Sequence, residues 1–214
     1  MGGADHKTGE ADDQESRFAA LEAWARDWFA PMGKVTHRWS GQVYEPIDSV
    51  GFVGLNPGSN RTFVCTGDSG EGITTGVVAG LLISRLILDG KSDWTAVYDP
   101  SRKPLRATAT FLEENVTMLK NLSEHVGPGD ISSADELKAG EGAVLRSGLK
   151  KVAVYRDPQG RLHVRSAVCT HLGCVVHWNS FERCWDCPCH GSQFGVDGEA
   201  LNGPAVFPLA EGSI

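Results

Sequence analysis

Two short boxes of cysteine and histidine constrain this chain more than any other feature. They are "CTHLGC" at residues 169–174 and "CPCHGS" at residues 187–192, and five of the six cysteines lie between Cys169 and Cys189. Residues 1–16 lack the basic start and apolar core of a secretory signal, so we expect a cytoplasmic protein. In that compartment clustered cysteines favour metal or redox chemistry over a framework of disulfides.

The two boxes offer one pair of thiolates and one pair of imidazoles. As ligand spacing, the pattern is Cys169-x-His171, then fifteen residues, then Cys187-x-x-His190. Thiolates suit ferric iron and sulfide, whereas neutral imidazole suits a more electron-rich iron. Two of each can hold an asymmetric [2Fe-2S] cluster, with the cysteines on one iron and the histidines on the other. A zinc site with Cys and His ligands remains an alternative.

The pattern resembles the Rieske proteins, because both boxes, their order and their spacing agree. The resemblance implies electron transfer through a [2Fe-2S] cluster, and it implies the ligands. These are Cys169, His171, Cys187 and His190. Many Rieske domains carry one extra cysteine in each box and join the two in a disulfide, which implies a bond between Cys174 and Cys189. Such a bond would restrict two loops that make few apolar contacts.

Residues beside the boxes are expected to tune the cluster. Ser192 stands where Rieske proteins often place a hydroxyl that donates to a bridging sulfide and raises the reduction potential. Two residues later the high-potential respiratory members have a tyrosine, and this chain has Phe194. We therefore predict a potential below that of the respiratory type. "NGPA" at residues 202–205 contains Gly203 and Pro204 and resembles the loop that covers the cluster in this family.

The other cysteines and histidines of this region have no ligand spacing of their own. Cys184 forms C-x-x-C with Cys187, which is also typical of thioredoxin-like motifs and zinc knuckles. We interpret Cys184 as part of a strand that leads into the second box. His163 and His177 are interpreted as surface or packing residues.

The pattern of apolar residues and turns along the sequence changes at Gly127-Pro128-Gly129. Residues 128–214 are rich in short alternating runs and turns, and "KVAVYR" and "RLHVRSAVC" predict a hairpin. Residues 1–127 predict mixed structure: a helix over 15–30, strands in "GFVGL" and "RTFVCT", an apolar helix from about Ile73 and a helix over 110–126. The predicted class is α+β, with an incomplete α/β portion followed by a small all-β domain of antiparallel sheets.

Four stretches of the first portion resemble the carboxy-terminal third of FAD-dependent oxidoreductases of the glycine and D-amino-acid oxidase type, in the branch with a fused Rieske module. They are "DHKTGE", "HRWSGQVYEPIDSVGFVGLNPG", "TGDSGEGITTGVVAG" and "WTAVYDPSRK". The resemblance implies that a glycine-rich loop lies against the edge of the flavin. Its residues are Gly67, Asp68, Ser69, Gly70, Glu71, Gly72, Ile73 and Thr74. The sequence has no G-x-G-x-x-G motif after a first strand. We therefore expect FAD to bind only if a missing amino-terminal domain is present.

Charge and hydropathy limit the partners. The formal net charge is -7 and no dense run of lysine and arginine occurs, so nucleic acid is not an expected partner. The most apolar stretch, Ile73 to Leu88, has 16 residues and contains Arg85. A bilayer requires roughly 20 apolar residues, so we predict a buried helix and no membrane span. The expected partner is a redox protein or the missing flavin-binding portion.

Three functional hypotheses follow from these features. The first is an electron-transferring part of a FAD-dependent oxidoreductase that relays single electrons between flavin and an unknown partner. The second is a stand-alone Rieske carrier or respiratory-type Rieske subunit, and the third is a zinc-stabilised binding module. Under the first hypothesis the chain is a fragment, a truncated reading frame or half of a split enzyme, and its Phe18 to Trp28 helix should expose apolar surface.

Overall fold

The computed structural model describes residues 1–103, 116 and 118–214. The chain divides into two compact units, one formed by residues 1–40 together with 116–214 and the other by residues 41–115. The domain boundary predicted between residues 127 and 128 stays a prediction. Residues 1–40, which belong to the predicted first domain, share a compact unit with the carboxy-terminal strands.

The helices are α1 (Gln14–Trp28), α2 (Gly72–Asp89) and α3 (Thr95–Tyr98). The strands are β1 (Phe52–Leu55), β2 (Phe63–Thr66), β3 (Gly142–Ser147), β4 (Lys150–Arg156), β5 (Leu162–Ser166), β6 (His177–Asn179), β7 (Cys184–Asp186), β8 (Gln193–Phe194) and β9 (Ala200–Asn202). Short 3-10 helices cover Glu124–Val126 and Ala134–Glu136. The mixed α+β class is confirmed. Of the helix predicted over 110–126, Phe111, Leu112 and Asn115 lie outside the described residues, and residues 116 and 118–123 are helical.

The carboxy-terminal strands form two antiparallel sheets, in the orders β3-β4-β5 and β6-β7-β8-β9. The predicted hairpin is confirmed, because β4 pairs with β5 around Val154 and Val164. Aromatic rings join the two sheets: Trp178 stacks 5.1 Å from Tyr155 of the first sheet and lies 4.9 Å from Trp185 of its own sheet. These rings belong to the same hydrophobic core as Cys169, Cys174 and Cys187 of the two Cys/His boxes.

Helix α1 packs on the second of these sheets along one narrow stripe. Gln14 and Ala25 are its buried residues, and the Phe18 ring lies 5.0 Å from that of Phe181. Apolar surface is exposed on this helix, as expected from the sequence, since Trp24 and Trp28 are 50% and 71% exposed. The amino-terminal helix is thus held by a few residues on one side, from Gln14 to Ala25.

The unit of residues 41–115 has a small core. Strands β1 and β2 form an antiparallel hairpin, and Val53 packs with Ala79 and Leu82 of α2. Beside this core Arg102 pairs with Asp48 at 2.9 Å, with its guanidinium 3.9 Å from the centre of the Phe52 ring. This cation–π contact and ion pair close the end of the hairpin.

Helix α2 corrects the expectation of a buried helix. Only Ala79 and Leu82 are buried, whereas Ile73 and Leu88 are 90% and 81% exposed, because the two-stranded hairpin covers a single stripe. Helix α2 has 18 residues and a mean hydropathy of 1.5, so by length and composition it could cross a membrane. This is weak evidence for a membrane span, because core helices of soluble proteins meet the same criteria. The expectation of no membrane span stays a prediction.

Candidate metal centre

The first box, residues 169–174, is a closed loop. The Cys169 N–H donates to the Cys174 carbonyl at 2.9 Å, and the Gly173 N–H donates back to the Cys169 carbonyl at 3.0 Å. Gly173 has φ +82°, a left-handed conformation that glycine adopts without strain. The Thr170 hydroxyl donates to the Phe207 carbonyl at 2.6 Å and ties the loop to the segment after the "NGPA" turn.

The second box, residues 187–192, repeats this geometry. The Cys187 N–H donates to the Ser192 carbonyl at 2.8 Å, and the Gly191 N–H donates to the Cys187 carbonyl at 2.9 Å. Gly191 has φ +75°. Each loop therefore begins with a buried cysteine, has a left-handed glycine at its fifth position and closes on the carbonyl of its sixth residue.

The first cysteine of each loop points into the core, and the two thiols meet. Cys169 and Cys187 are 2% and 1% exposed. A hydrogen bond from the Cys187 thiol lowers the pKa of Cys169 to about 6, and the same contact together with burial raises the pKa of Cys187. The pair thus readily provides one thiolate, and a cation placed between the sulfurs would favour ionisation of both.

Backbone N–H groups surround each sulfur in the same way. The amides of His171 and Leu172 donate to Cys169, and those of Cys189 and His190 donate to Cys187. These donors stabilise negative charge on sulfur. They come from the second and third residues after each cysteine, so the loop conformation itself provides them.

The two histidines lie side by side at the exposed tip of the loops. The ring centroids of His171 and His190 are 4.9 Å apart, with an interplanar angle of 86°. Burial and the neighbouring His171 lower the pKa of His190. A neutral imidazole is the form that binds a metal, so the environment favours the ligating state.

The disulfide implied by the resemblance is present. Cys174 and Cys189 are bonded, with their Cα atoms 6.4 Å apart and 15 residues apart in sequence. The sulfurs of Cys174, Cys187 and Cys189 all lie within 4.8 Å of one another. The crosslink therefore holds the two loops together immediately beside the paired thiols.

The side chains that the two loops bring together have the chemistry that a [2Fe-2S] cluster requires. The predicted ligands provide two buried sulfurs that face each other and two neighbouring imidazoles nearer the surface, which is the donor set of an asymmetric cluster. Such a cluster supplies a reversible one-electron acceptor when bound. Assignment of the four individual ligands stays a prediction.

Ser192 and Phe194, two of the residues predicted to tune the cluster, are buried beside the loops. Ser192 is fully buried, and its hydroxyl bonds to the Cys169 sulfur while accepting the Ala205 N–H at 3.0 Å. This second bond fastens the turn that contains Gly203 and Pro204 to the second box. Phe194 is fully buried in β8 opposite Trp185. The bond from Ser192 to a bridging sulfide and the effect of Phe194 on the potential stay predictions.

Cys184 lies in β7, as the strand interpretation predicts, and is 3% exposed. Burial, reinforced by the carboxylates of Asp186 and Glu182, raises the pKa of the Cys184 thiol. A thiol in this environment is unreactive near neutral pH. The C-x-x-C spacing with Cys187 therefore does not form a redox pair here.

The glycine-rich stretch implied to contact flavin lies in the unit of residues 41–115: Gly67 to Glu71 connect β2 to α2, and Gly72 to Thr74 are the first residues of α2. The Glu71 N–H donates to the Asp68 carbonyl at 2.8 Å, and the Gly70 N–H lies 3.4 Å from the Asp68 carboxylate. These bonds shape a tight turn before the helix. The flavin contacts of Gly67 to Thr74 stay a prediction.

Sequence reasoning missed two contacts that the structure places at the loops. One is the bond from Thr170 to Phe207, and the other is the packing of Gly9 against the Cys187–Pro188 peptide. Neither contact leaves a signal in the sequence, because a threonine inside a loop and a glycine in a polar segment are both ordinary.

Two protein families match this chain. The family described as "Rieske [2Fe-2S] domain" matches residues 128–211, and the family described as "FAD dependent oxidoreductase" matches residues 1–86. The chain carries a Rieske domain. That Rieske [2Fe-2S] domain, an electron-transfer module, is fused to a region of the FAD-dependent oxidoreductase type. The predictions of family and cofactor type are confirmed.

Two curated relatives and one solved structure are among the proteins that this chain is similar to. A protein named as a Rieske 2Fe-2S iron-sulfur protein, YhfW of Bacillus subtilis, is 31% identical over 214 residues, which are 98% of this chain and 41% of that protein. The cytochrome b6-f complex iron-sulfur subunit 2 of Synechocystis is 48% identical over 71 residues, covering 31% of this chain and 39% of the subunit. The solved structure is the crystal structure of the cyanobacterial plasma membrane Rieske protein PetC3 from Synechocystis. Its sequence is 30% identical to this chain and the TM-score is 0.34; the similarity covers 38% of this chain and 83% of the PetC3 chain. The chain spans less than half the length of these two curated relatives.

Proposed function

We propose that this chain is the cluster-bearing part of a cytoplasmic FAD-dependent oxidoreductase and relays single electrons between a flavin and a redox partner. The cluster ligands in this proposal are Cys169, His171, Cys187 and His190. The observation that carries it is the pair of loops with matching backbone geometry, which bring two sulfurs and two imidazoles together.

The chain's own residues have distinct tasks in this function. The backbone donors of both loops favour anionic sulfur at Cys169 and Cys187. The disulfide keeps the loops at a fixed separation, so little rearrangement accompanies a change of charge. His171 and His190 are exposed, so in this proposal they lie where a redox partner can approach the cluster.

The electron chemistry of a flavin explains why a one-electron carrier would be fused to it. Flavins accept two electrons and can release them one at a time, whereas a [2Fe-2S] cluster carries one. The match of residues 1–86 to FAD-dependent oxidoreductases supports a flavin as the cluster's neighbour. In the proposal the flavin-binding portion belongs to the remainder of the enzyme or to a partner chain.

Absorption and EPR spectroscopy of the purified chain test the proposal. We expect a red-brown protein with two iron atoms per chain and, after dithionite, a rhombic signal of low average g. A colourless protein that contains zinc would contradict the cluster and support the zinc-stabilised module. FAD bound tightly at one per chain would contradict the view that the flavin site is incomplete here.

The reduction potential separates this proposal from a respiratory-type subunit. Phe194 stands where respiratory Rieske proteins place a tyrosine, so the potential should lie below theirs. Phe194→Tyr should raise the potential, because the added hydroxyl would donate to a cysteine sulfur. An unchanged potential in that variant, with the cluster retained, would remove this support.

A further inference from the structure

Gly9 packs directly on the second cluster loop. It is buried although its neighbour Glu10 is exposed, and its φ is +77°. A Cβ atom at this position would lie 2.8 Å from the nitrogen of Pro188, 2.9 Å from its Cα and 3.1 Å from the Cys187 carbonyl carbon. Only glycine permits this approach of backbone to backbone, since the obstructing atoms belong to the main chain and cannot rotate away.

His177 holds this contact in place. Its Nδ1 donates to the Gly9 carbonyl at 2.7 Å, because a carbonyl oxygen can only accept. Its Nε2 lies 2.8 Å from a carboxylate oxygen of Glu124, which fixes the ring. Three residues after Gly9, the Asp12 carboxylate accepts from the N–H and the hydroxyl of Ser180 at 3.0 and 2.7 Å.

The segment 7–12 belongs to the region that matches FAD-dependent oxidoreductases, yet it covers the ligand loop of the Rieske domain. We propose that residues 7–12 act as a cap that keeps water away from the Cys187 side of the cluster and thereby lowers its reduction potential. The cap makes the flavoenzyme region part of the cluster's environment. This inference rests on the proposed [2Fe-2S] cluster and adds a positioning segment to it.

The direction of the effect follows from charge. An oxidised [2Fe-2S] cluster with two thiolates and two neutral imidazoles has no net charge, and one added electron makes it negative. Water stabilises the charged form more than the neutral form. A covered Cys187, which is 1% exposed, therefore disfavours reduction, and removing the cap should favour it.

Gly9→Ala is the direct test, performed on the full chain loaded with its cluster. In a solution poised at a fixed potential, the ratio of reduced to oxidised cluster, measured by EPR, should rise about threefold or more. That corresponds to roughly 28 mV, because a tenfold change in a one-electron couple is ~59 mV. Limited proteolysis should also cut residues 1–13 faster in the variant.

Two glycines provide matched controls. Gly140 has φ +87° and nothing within 4 Å of the position that a Cβ atom would take, so Gly140→Ala introduces backbone strain without a clash. Gly33 has no positive φ, and nothing lies within 4 Å of the position of an added Cβ atom, so Gly33→Ala introduces neither strain nor a clash. Both variants should leave the reduced-to-oxidised ratio unchanged. An equal shift in Gly140→Ala and Gly9→Ala would overturn the cap, since strain alone would then explain it.

A second pair of variants decides the matter if Gly9→Ala does not fold. His177→Gln removes the donor geometry that holds the Gly9 carbonyl. His163→Gln changes a histidine of the other sheet that also contacts two acceptors, Asp157 and Asp197. Only His177→Gln should raise the ratio. An unchanged ratio in a cluster-containing His177→Gln protein contradicts the cap, whereas an absence of cluster from the unmutated chain contradicts the proposed function itself.

Discussion

The two cluster loops have nearly the same backbone but are covered by different parts of the chain. Residues 169–174 and 187–192 each close a loop with the same pair of hydrogen bonds around a left-handed glycine. The first loop is fastened through Thr170 to Phe207 of the Rieske domain. The second is covered by Gly9, which lies far away in sequence, near the amino terminus.

This difference separates what binds a cluster from what sets its environment. The shared geometry brings the sulfurs and their amide donors together, so it depends on residues within each loop. The unshared contacts control water and mobility around the loops, and they come from distant segments. Changes inside the loops should therefore affect cluster assembly, and changes in the covers should affect potential and local stability.

The largest effect is expected from the first cysteine of a loop. Cys187→Ala should abolish the cluster, because it removes a sulfur that faces Cys169, whereas Cys184→Ala should retain it. Both cysteines are buried, at 1% and 3% exposure, so the pair separates ligation from packing. Iron content and the EPR signal of the reduced proteins measure the outcome. Loss of the cluster in both variants would mean that Cys184 has a role at the centre beyond its strand.

The disulfide should produce the next effect. Replacing Cys174 and Cys189 together by serine should lower the free energy of unfolding by about 3 kcal/mol, the value for a loop of some 15 residues. Urea denaturation of the cluster-loaded protein measures it. Cys65→Ser, at an exposed free cysteine, is the control and should change stability by less than about 0.5 kcal/mol. Equal stability of the double variant and the parent would show that the loops are held without the crosslink.

Ser192→Ala should lower both stability and potential. The variant leaves the buried Ala205 N–H without its acceptor, at a cost of about 1–3 kcal/mol, and removes a hydroxyl bonded to the Cys169 sulfur. Ser166→Ala is the matched control, because Ser166 also accepts a backbone N–H, from Val168, outside the loops. Redox titration should show a lower potential in Ser192→Ala alone. Equal potentials in the two variants would contradict a tuning role for Ser192.

The smallest effect is expected at the cover of the first loop. Thr170→Val removes one hydrogen bond to the Phe207 carbonyl, worth about 1 kcal/mol or less at an exposed site, while Thr170→Ser retains it. Amide exchange over residues 205–209 should accelerate in the valine variant only. Acceleration in both would assign the effect to packing of the threonine methyl group.

Ligand type and strand pairing could be predicted from the sequence because their causes are local. The spacing of Cys169 and His171, and of Cys187 and His190, reflects short loops, and the β4–β5 hairpin reflects alternation with a turn. Helix α2 shows the limit: its apolar composition predicted burial, yet Ile73 and Leu88 are exposed. Composition shows that a surface is apolar, but the neighbouring elements decide whether anything covers it.

The sequence by itself determined the chemistry of this protein: two cysteines and two histidines in paired boxes, and a Rieske domain after a flavoenzyme-like region. Only the tertiary structure decided what surrounds that chemistry, namely the seat of Gly9 on the Cys187–Pro188 peptide and the anchoring of Gly9 by His177. Ligand spacing is a property of neighbouring residues. Close packing between distant backbones depends on the whole fold and leaves no pattern in either segment.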